Sequence, residues 1–155
     1  MKATKPTRLY FKSFIKALYN SVGSNLFRSF YVSTPEEGEF DALKDGQDSC
    51  AFYVSSILVI FHKIKIIHGT VNGLKRDLIE SGWVNAKRPK IGDVLIWEAK
   101  EFNNNMQQHS GFYLGNNKAI SMSYTKKVPQ IHDINFENNR KVKEIYHLKD
   151  WDYLF

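Results

Sequence analysis

The apolar residues of this chain change their arrangement near Pro89, and that change limits the folds it can adopt. Before Pro89, a long apolar run at 51–61 follows a polar turn, and a stripe with helical spacing covers 70–81. After Pro89, short apolar runs alternate with Gly and Asn, which is typical of strands and tight turns. Helices followed by strands predict an α+β domain in which N-terminal helices pack on a C-terminal antiparallel sheet.

The length and composition are those of one folded unit. The chain has 155 residues, 43% of them hydrophobic, so we expect a single domain over 1–155 and no extended disorder. Its one cysteine, Cys50, can form neither an internal disulfide nor a multi-cysteine metal cluster, and we expect no metal and no cofactor. The net charge of +6 is spread along the chain without a nucleic-acid motif, so nucleic acid is not an expected partner.

The N-terminal segment 1–35 is basic and amphipathic. Lysines separate apolar residues at mostly helical spacing, which predicts a short helix. Such a helix either packs its apolar stripe on the core, the commoner arrangement, or makes a weak contact with an anionic membrane surface. Lys12 and Lys16 interrupt any signal-like apolar run, and no run approaches the roughly 20 residues of a membrane span. We therefore expect a cytoplasmic protein.

The second half predicts strands joined by short polar connections. Gly115, Asn116 and Asn117 form a turn signal between two apolar segments, which indicates a hairpin. The polar segments 33–48 and 100–108 are predicted to be loops. Strands are predicted at 94–97, 109–114 and 118–124, and within 128–136 and 142–148.

Cys50 occupies an unusual position for a free cysteine, which is more often an inert core residue. Asp48 and Ser49 are both competent N-caps, so the predicted helix begins at Cys50. The unpaired amides of a helix start favour a thiolate and can also bind the oxyanion of a tetrahedral intermediate. Cys50 is therefore a candidate nucleophile.

A thiol nucleophile needs a general base, most often a histidine. His62 and His68 lie at or beyond the far end of the predicted helix, about three turns from Cys50. His147 lies in a strand-like segment without polar neighbours, and we expect it to be structural. His109 begins a predicted strand directly after a polar loop, where its side chain can line a cleft, and His132 is the other candidate.

Three motifs in a fixed order carry a resemblance to a known family. They are DSCAF at 48–52, GDVLIW at 92–97 and HSGFYLGNN at 109–117. Together they resemble the papain-like cysteine peptidases and amidases of the NlpC type and their CHAP-like and LRAT-like relatives. The resemblance covers about 45–124 and implies a papain-like catalytic core over 45–148.

The resemblance implies a cysteine hydrolase acting on a peptide or amide substrate, with cell-wall peptides among the candidates. Cys50 would attack a carbonyl carbon, and His109 would take and return the proton. The acyl-enzyme would be resolved by water or another acceptor, which leaves a thiol acyltransferase or thioesterase open. A non-catalytic binding module on the same fold is a further alternative.

The chain departs from the family pattern at the third polar residue, commonly a histidine about twelve positions after the base. Ser121 stands there, so Ser121, His132 or neither would orient His109. The length of the hairpin turn sets the sheet face on which Ser121 lies. A two-residue turn would put Ser121 on the face opposite His109, and a three- or five-residue turn would put it on the same face. Asp48 also stands two residues before Cys50 instead of directly before it.

Overall fold

The structure, a computed structural model, describes residues 2–152. The described chain is α+β, as the change of pattern near Pro89 predicts, with the helices before the large sheet in sequence. The helices are α1 (Tyr10–Asn20), α2 (Cys50–Ile60) and α3 (Val71–Glu80). The strands are β1 (Tyr31–Thr34), β2 (Gly38–Asp41), β3 (Val84–Asn85), β4 (Val94–Phe102), β5 (Asn105–Gly115), β6 (Lys118–Met122), β7 (Pro129–Asp133) and β8 (Val142–His147).

Six strands form one sheet in the order β3-β8-β4-β5-β6-β7, and every neighbouring pair is antiparallel. Helix α2 packs on one face, where its Tyr53 contacts Phe112 of β5 with ring centroids 6.0 Å apart. The opposite face carries a smaller apolar cluster around Leu95 and Trp97. Because α2 is apolar on nearly all sides, it is held firmly in the core, and its first turn is fixed relative to β5.

Helix α1 joins the same core. Phe14 and Leu18 are fully buried, as the core-packing alternative for the basic segment expects. The Phe14 ring stacks on Trp151 at 4.2 Å between centroids, which ties α1 to the C-terminal part of the described chain. None of the helices within residues 2–152 has the length and apolar character to cross a membrane.

Both predicted loops contain strands, so those two predictions are wrong. Strand β1, which begins at Tyr31, pairs with β2 in a short hairpin in which half of the strand residues are exposed and none is buried, and no apolar alternation marked it. Within 100–108, β4 continues to Phe102 and β5 begins at Asn105. Asn103 and Asn104 adopt positive φ angles of 49° and 67°, which a two-residue hairpin turn requires and Asn tolerates.

The hairpin of β5 and β6 sets the position of Ser121. Its turn is the two-residue Asn116–Asn117 turn, for which the sequence predicted Ser121 on the face away from His109. The predicted face of Ser121 is wrong, because the pairing register of β5 with β6 shifts by one residue between Tyr113 and Gly115. Ser121 therefore pairs with Gly111 and shares the sheet face of His109.

Candidate functional site

Cys50 is the first residue of α2, as predicted, and its side chain is partly buried. Ser49 occupies the predicted N-cap position, but neither Asp48 nor Ser49 makes a side-chain capping bond to the helix. The Ser49 hydroxyl donates to the Gly46 carbonyl at 3.0 Å, and Asp48 forms an ion pair with Lys44 at 3.1 Å. The amides at the start of α2 therefore have no side-chain cap.

The helix start is expected to favour the thiolate of Cys50, but burial of the thiol has the larger, opposite effect on its pKa. Burial raises the pKa of Cys50 above its ordinary value. The backbone and hydroxyl of Ser110, the Ala51 backbone and the charge of Arg140 oppose this rise without cancelling it. The thiol is consequently protonated at neutral pH.

His109 lies on β5 directly opposite Trp97 of β4, with the two rings 5.3 Å apart. Burial lowers the pKa of His109 to about 3, helped by the charges of Arg140 and His132. Within residues 2–152, neither ring nitrogen of His109 has a hydrogen-bond partner. The imidazole is therefore neutral, with a nitrogen lone pair free to take a proton.

One pocket of about 400 Å³ brings together all four residues predicted from the sequence: Cys50, His109, Ser121 and His132. Strand β6 pairs with β5 only as far as the Gly111–Ser121 pair, so the part of β5 before Gly111, which includes His109, has no partner strand on that side in the described chain. Its walls mix apolar and polar side chains, including Phe102, Phe136, Tyr124, Lys100, Gln107, Gln130 and Arg140.

Ser121 and His132 bind each other and do not bind His109. The Ser121 Oγ and His132 Nε2 atoms are 2.7 Å apart, and His132 Nδ1 lies 2.7 Å from the Asp133 carbonyl oxygen. A carbonyl only accepts, so Nδ1 carries the proton, and the neutral ring accepts from the Ser121 hydroxyl. Burial lowers the pKa of His132, which favours this neutral form. Neither residue orients His109 through a hydrogen bond.

The His132 ring also holds the aromatic wall in place. It stacks on Phe136 with centroids 3.9 Å apart and planes 16° from parallel. Phe136 and Trp97 each lie within 6 Å of the His109 ring, at 5.8 and 5.3 Å between centroids. These contacts position His109 by packing.

The remaining histidines lie outside this pocket, and His147 has a structural role, as expected. Its polar partner, Asp93, is distant in sequence: His147 Nδ1 is 2.6 Å from Asp93 Oδ1. Asp93 also accepts the Lys90 amide at 2.8 Å, so the pair fixes the turn before β4. His68 similarly contacts Asp77 at 2.7 Å beside α3. Both histidine–aspartate pairs are structural.

Two residues of the site were not predicted. Ser110 is fully buried beside Cys50, and its hydroxyl has no hydrogen-bond partner of ordinary geometry in the described part of the chain. Arg140 reaches the pocket from the segment before β8, donating through Nε to the Glu98 carbonyl at 2.9 Å and through Nη2 to the Gln107 carbonyl at 2.6 Å. Ser110 follows His109 directly, which was a usable signal. Nothing near Arg140 in the sequence indicated its place.

The described residues contain no group of three or more His, Cys, Asp and Glu side chains arranged to hold a metal ion. The chemistry available at this pocket is that of a thiol, two neutral imidazoles, hydroxyls and a buried guanidinium. No protein-family model matches the chain, and no curated protein matches its sequence.

Proposed function

We propose that this protein is a cysteine hydrolase of papain-like, NlpC-type fold, with Cys50 as nucleophile and His109 as general base, acting on a peptide or amide. One observation carries the proposal: Cys50 at the start of a buried helix and a neutral His109 on an adjacent strand line the same pocket. The order of helix and strands around them supports the fold assignment.

Both groups are neutral at rest, so proton transfer accompanies attack. As the Cys50 sulfur bonds to the carbonyl carbon, His109 takes the thiol proton. The tetrahedral intermediate then breaks its bond to the leaving nitrogen, and the His109 imidazolium protonates that nitrogen. The product amine leaves, and the acyl group remains on Cys50 as a thioester.

Water completes the cycle by the same two groups. His109 removes a proton from a water molecule as the water oxygen attacks the thioester carbonyl. The carbon–sulfur bond breaks, the Cys50 sulfur takes the proton back from His109, and a carboxylic acid is released. If another acceptor replaces water, the same steps give a transferase.

The negative charge that develops on the carbonyl oxygen in the tetrahedral intermediate can be stabilised by hydrogen-bond donors of the site. The first amides of α2 lack side-chain caps, and the Ser110 hydroxyl is buried without a partner among the described residues. Donors that are fixed before the reaction stabilise an oxyanion more effectively than water does. This supports acyl transfer over other uses of a thiol.

A second candidate is a ligand-binding module that keeps the fold but does not turn over. It is favoured by the pKa directions, since a raised thiol pKa and a lowered imidazole pKa leave no thiolate–imidazolium pair at neutral pH. In that case the pocket would hold a ligand without reaction at Cys50.

An activated ester separates the two candidates. We expect p-nitrophenyl acetate to acetylate Cys50, seen by intact mass spectrometry, with release of nitrophenolate continuing beyond one equivalent. Cys50→Ala should give no adduct, and Cys50→Ser should react far more slowly while keeping the volume of the side chain. Absence of an acetyl adduct on the folded wild-type protein would remove the enzyme proposal in favour of the binding module.

A further inference from the structure

We propose that Arg140 binds a carboxylate of the substrate, so that the preferred substrate is an acyl compound bearing a negative charge close to the scissile carbonyl. This rests on the proposed function, because it assigns the substrate class of the same pocket. Arg140 is 8% exposed and lines the pocket that contains Cys50 and His109.

The guanidinium is a buried cation without an anion. No carboxylate within residues 2–152 lies within ion-pair distance of Arg140. The acidic group that acts most on its charge is the Cys50 thiol, which is protonated at neutral pH, and the next is Glu98, whose Oε1 accepts the Lys141 amide at 3.0 Å. Burying an arginine costs free energy unless an opposite charge compensates it, so the fold leaves a place for an anion.

Its hydrogen-bonding capacity is also only partly used. A guanidinium has five N–H donors, and the protein supplies acceptors for Nε and for Nη2, both of them backbone carbonyls. Nη1 has no hydrogen-bond partner in the described chain. The two carbonyl bonds and the Phe102 ring, 5.5 Å from Cζ, hold the group in one orientation. Such a planar group matches the geometry of a carboxylate or a phosphate, and of these the carboxylate is the anion that peptide and amide substrates carry.

The other charged groups of the pocket leave this cation uncompensated. Asp48 is paired with Lys44 at 3.1 Å. Lys100 adds a second positive charge and donates to the Asn139 carbonyl. His109 and His132 have lowered pKa values and are neutral at pH 7. A negatively charged ligand is therefore favoured over a neutral one of the same shape.

Arg140 is close enough to the reacting groups to select the substrate. Its charge acts on both the Cys50 thiol and the His109 ring. A carboxylate bound to Nη1 would consequently lie beside a carbonyl placed for attack by Cys50. The class that fits is a peptide, amide or thioester with a carboxylate near the bond that is cleaved.

Paired alkylating reagents test this without a substrate, because Cys50 is the chain's only thiol. Iodoacetate carries a carboxylate and iodoacetamide does not. We expect the ratio of their rate constants at Cys50, measured by intact mass spectrometry at pH 8, to exceed the ratio for 2-mercaptoethanol. Arg140→Gln should lower the ratio roughly tenfold, as loss of a charged hydrogen bond does.

The controls separate a local role from a general one. Arg76→Gln removes the same charge from an exposed site on α3 and should leave the ratio unchanged. Arg140→Lys keeps the charge and should keep most of the preference, and it serves if Arg140→Gln does not fold. A wild-type ratio no higher than that of 2-mercaptoethanol would overturn the proposal.

Equal slowing of both reagents in Arg140→Gln would also overturn it, since Arg140 would then only stabilise the thiolate. Failure of the proposed function, in which His109 acts as the base for Cys50, would give a different result. It would appear as acetylation by p-nitrophenyl acetate that does not depend on His109, whatever the reagent ratio.

Discussion

At the scale of single residues, burial has a larger effect on the pKa of the Cys50 thiol than its position at a helix N-terminus has. A helix N-terminus contributes about 0.3–1 kcal/mol to a nearby negative charge, which is less than one pKa unit. Burial of an ionisable group shifts its pKa by as much as 3–5 units. The position of Cys50 could be predicted from the polar residues before it, but the direction of its pKa could not, because burial depends on strands far along the chain.

The buried Ser110 hydroxyl gives a test of this balance. Ser110→Ala should raise the pKa of the Cys50 thiol further, because one of the groups that oppose the rise is lost. The free energy of unfolding should stay the same or increase slightly, since a buried hydroxyl without a partner is removed. Thiolate absorbance against pH and urea denaturation measure the two effects.

Ser56→Ala is the matched control, because its hydroxyl is likewise buried without a partner in the described chain. It should leave the thiol pKa unchanged. A lower thiol pKa in Ser110→Ala would contradict the account of the site.

At the scale of elements, a one-residue bulge decides which face Ser121 occupies. With regular pairing after the Asn116–Asn117 turn, Ser121 would lie opposite Phe112, on the face covered by α2. The extra residue in β5 moves it to the face of His109. Turn residues can be recognised in a sequence by their tolerance of positive φ, but a bulge has no such signature here.

The close packing of β5 on β6 can be tested at Gly111, which pairs with Ser121. A Cβ at Gly111 would lie 2.5 Å from the Ile120 carbonyl oxygen and 2.8 Å from Ser121 Cβ. Gly111→Ala should therefore destabilise the protein by about 1–3 kcal/mol, the usual range for overpacking. It should also displace the Ser121 hydroxyl from His132.

Gly69→Ala is the control, because a Cβ there would meet nothing within 4 Å and the backbone needs no positive φ. Its unfolding midpoint in urea should equal that of the wild type. If Gly111→Ala were equally harmless, the register of β5 on β6 would be wrong.

At the scale of the whole molecule, the sequence was informative about class and less so about the site. The α+β class and most strands could be predicted from local spacing and turn residues. The pocket's four predicted residues do converge, but the partners of each could not be predicted. The bond from Ser121 to His132, 11 residues away, and the position of Arg140 beside Cys50, 90 residues away, both depend on strand order and register.

Burial of two neutral histidines makes the fold sensitive to acid. The unfolded chain binds a proton at His109 near pH 6.5, whereas the folded state does not until about pH 3. The unfolded state therefore holds more protons between these values, and stability falls as the pH is lowered through this window. His132, with its lowered pKa, acts in the same direction.

Replacing His109 should remove much of this acid sensitivity. Between pH 7 and pH 4.5, the wild type should lose about 2 kcal/mol more unfolding free energy than His109→Gln does. Urea denaturation at the two pH values measures the difference. His62→Asn, at an exposed residue with a positive φ of 57°, should lose as much as the wild type. Equal losses in His109→Gln and the wild type would mean that His109 is not buried in its neutral form.

The central claim is that Cys50 and His109 react as one unit, and the acetylation rate of Cys50 at pH 7 tests it most directly. With p-nitrophenyl acetate, we expect His109→Ala to react about 100-fold more slowly than the wild type, the usual contribution of a general base. His62→Asn should match the wild type. Acetylation of His109→Ala within twofold of the wild-type rate would contradict the claim.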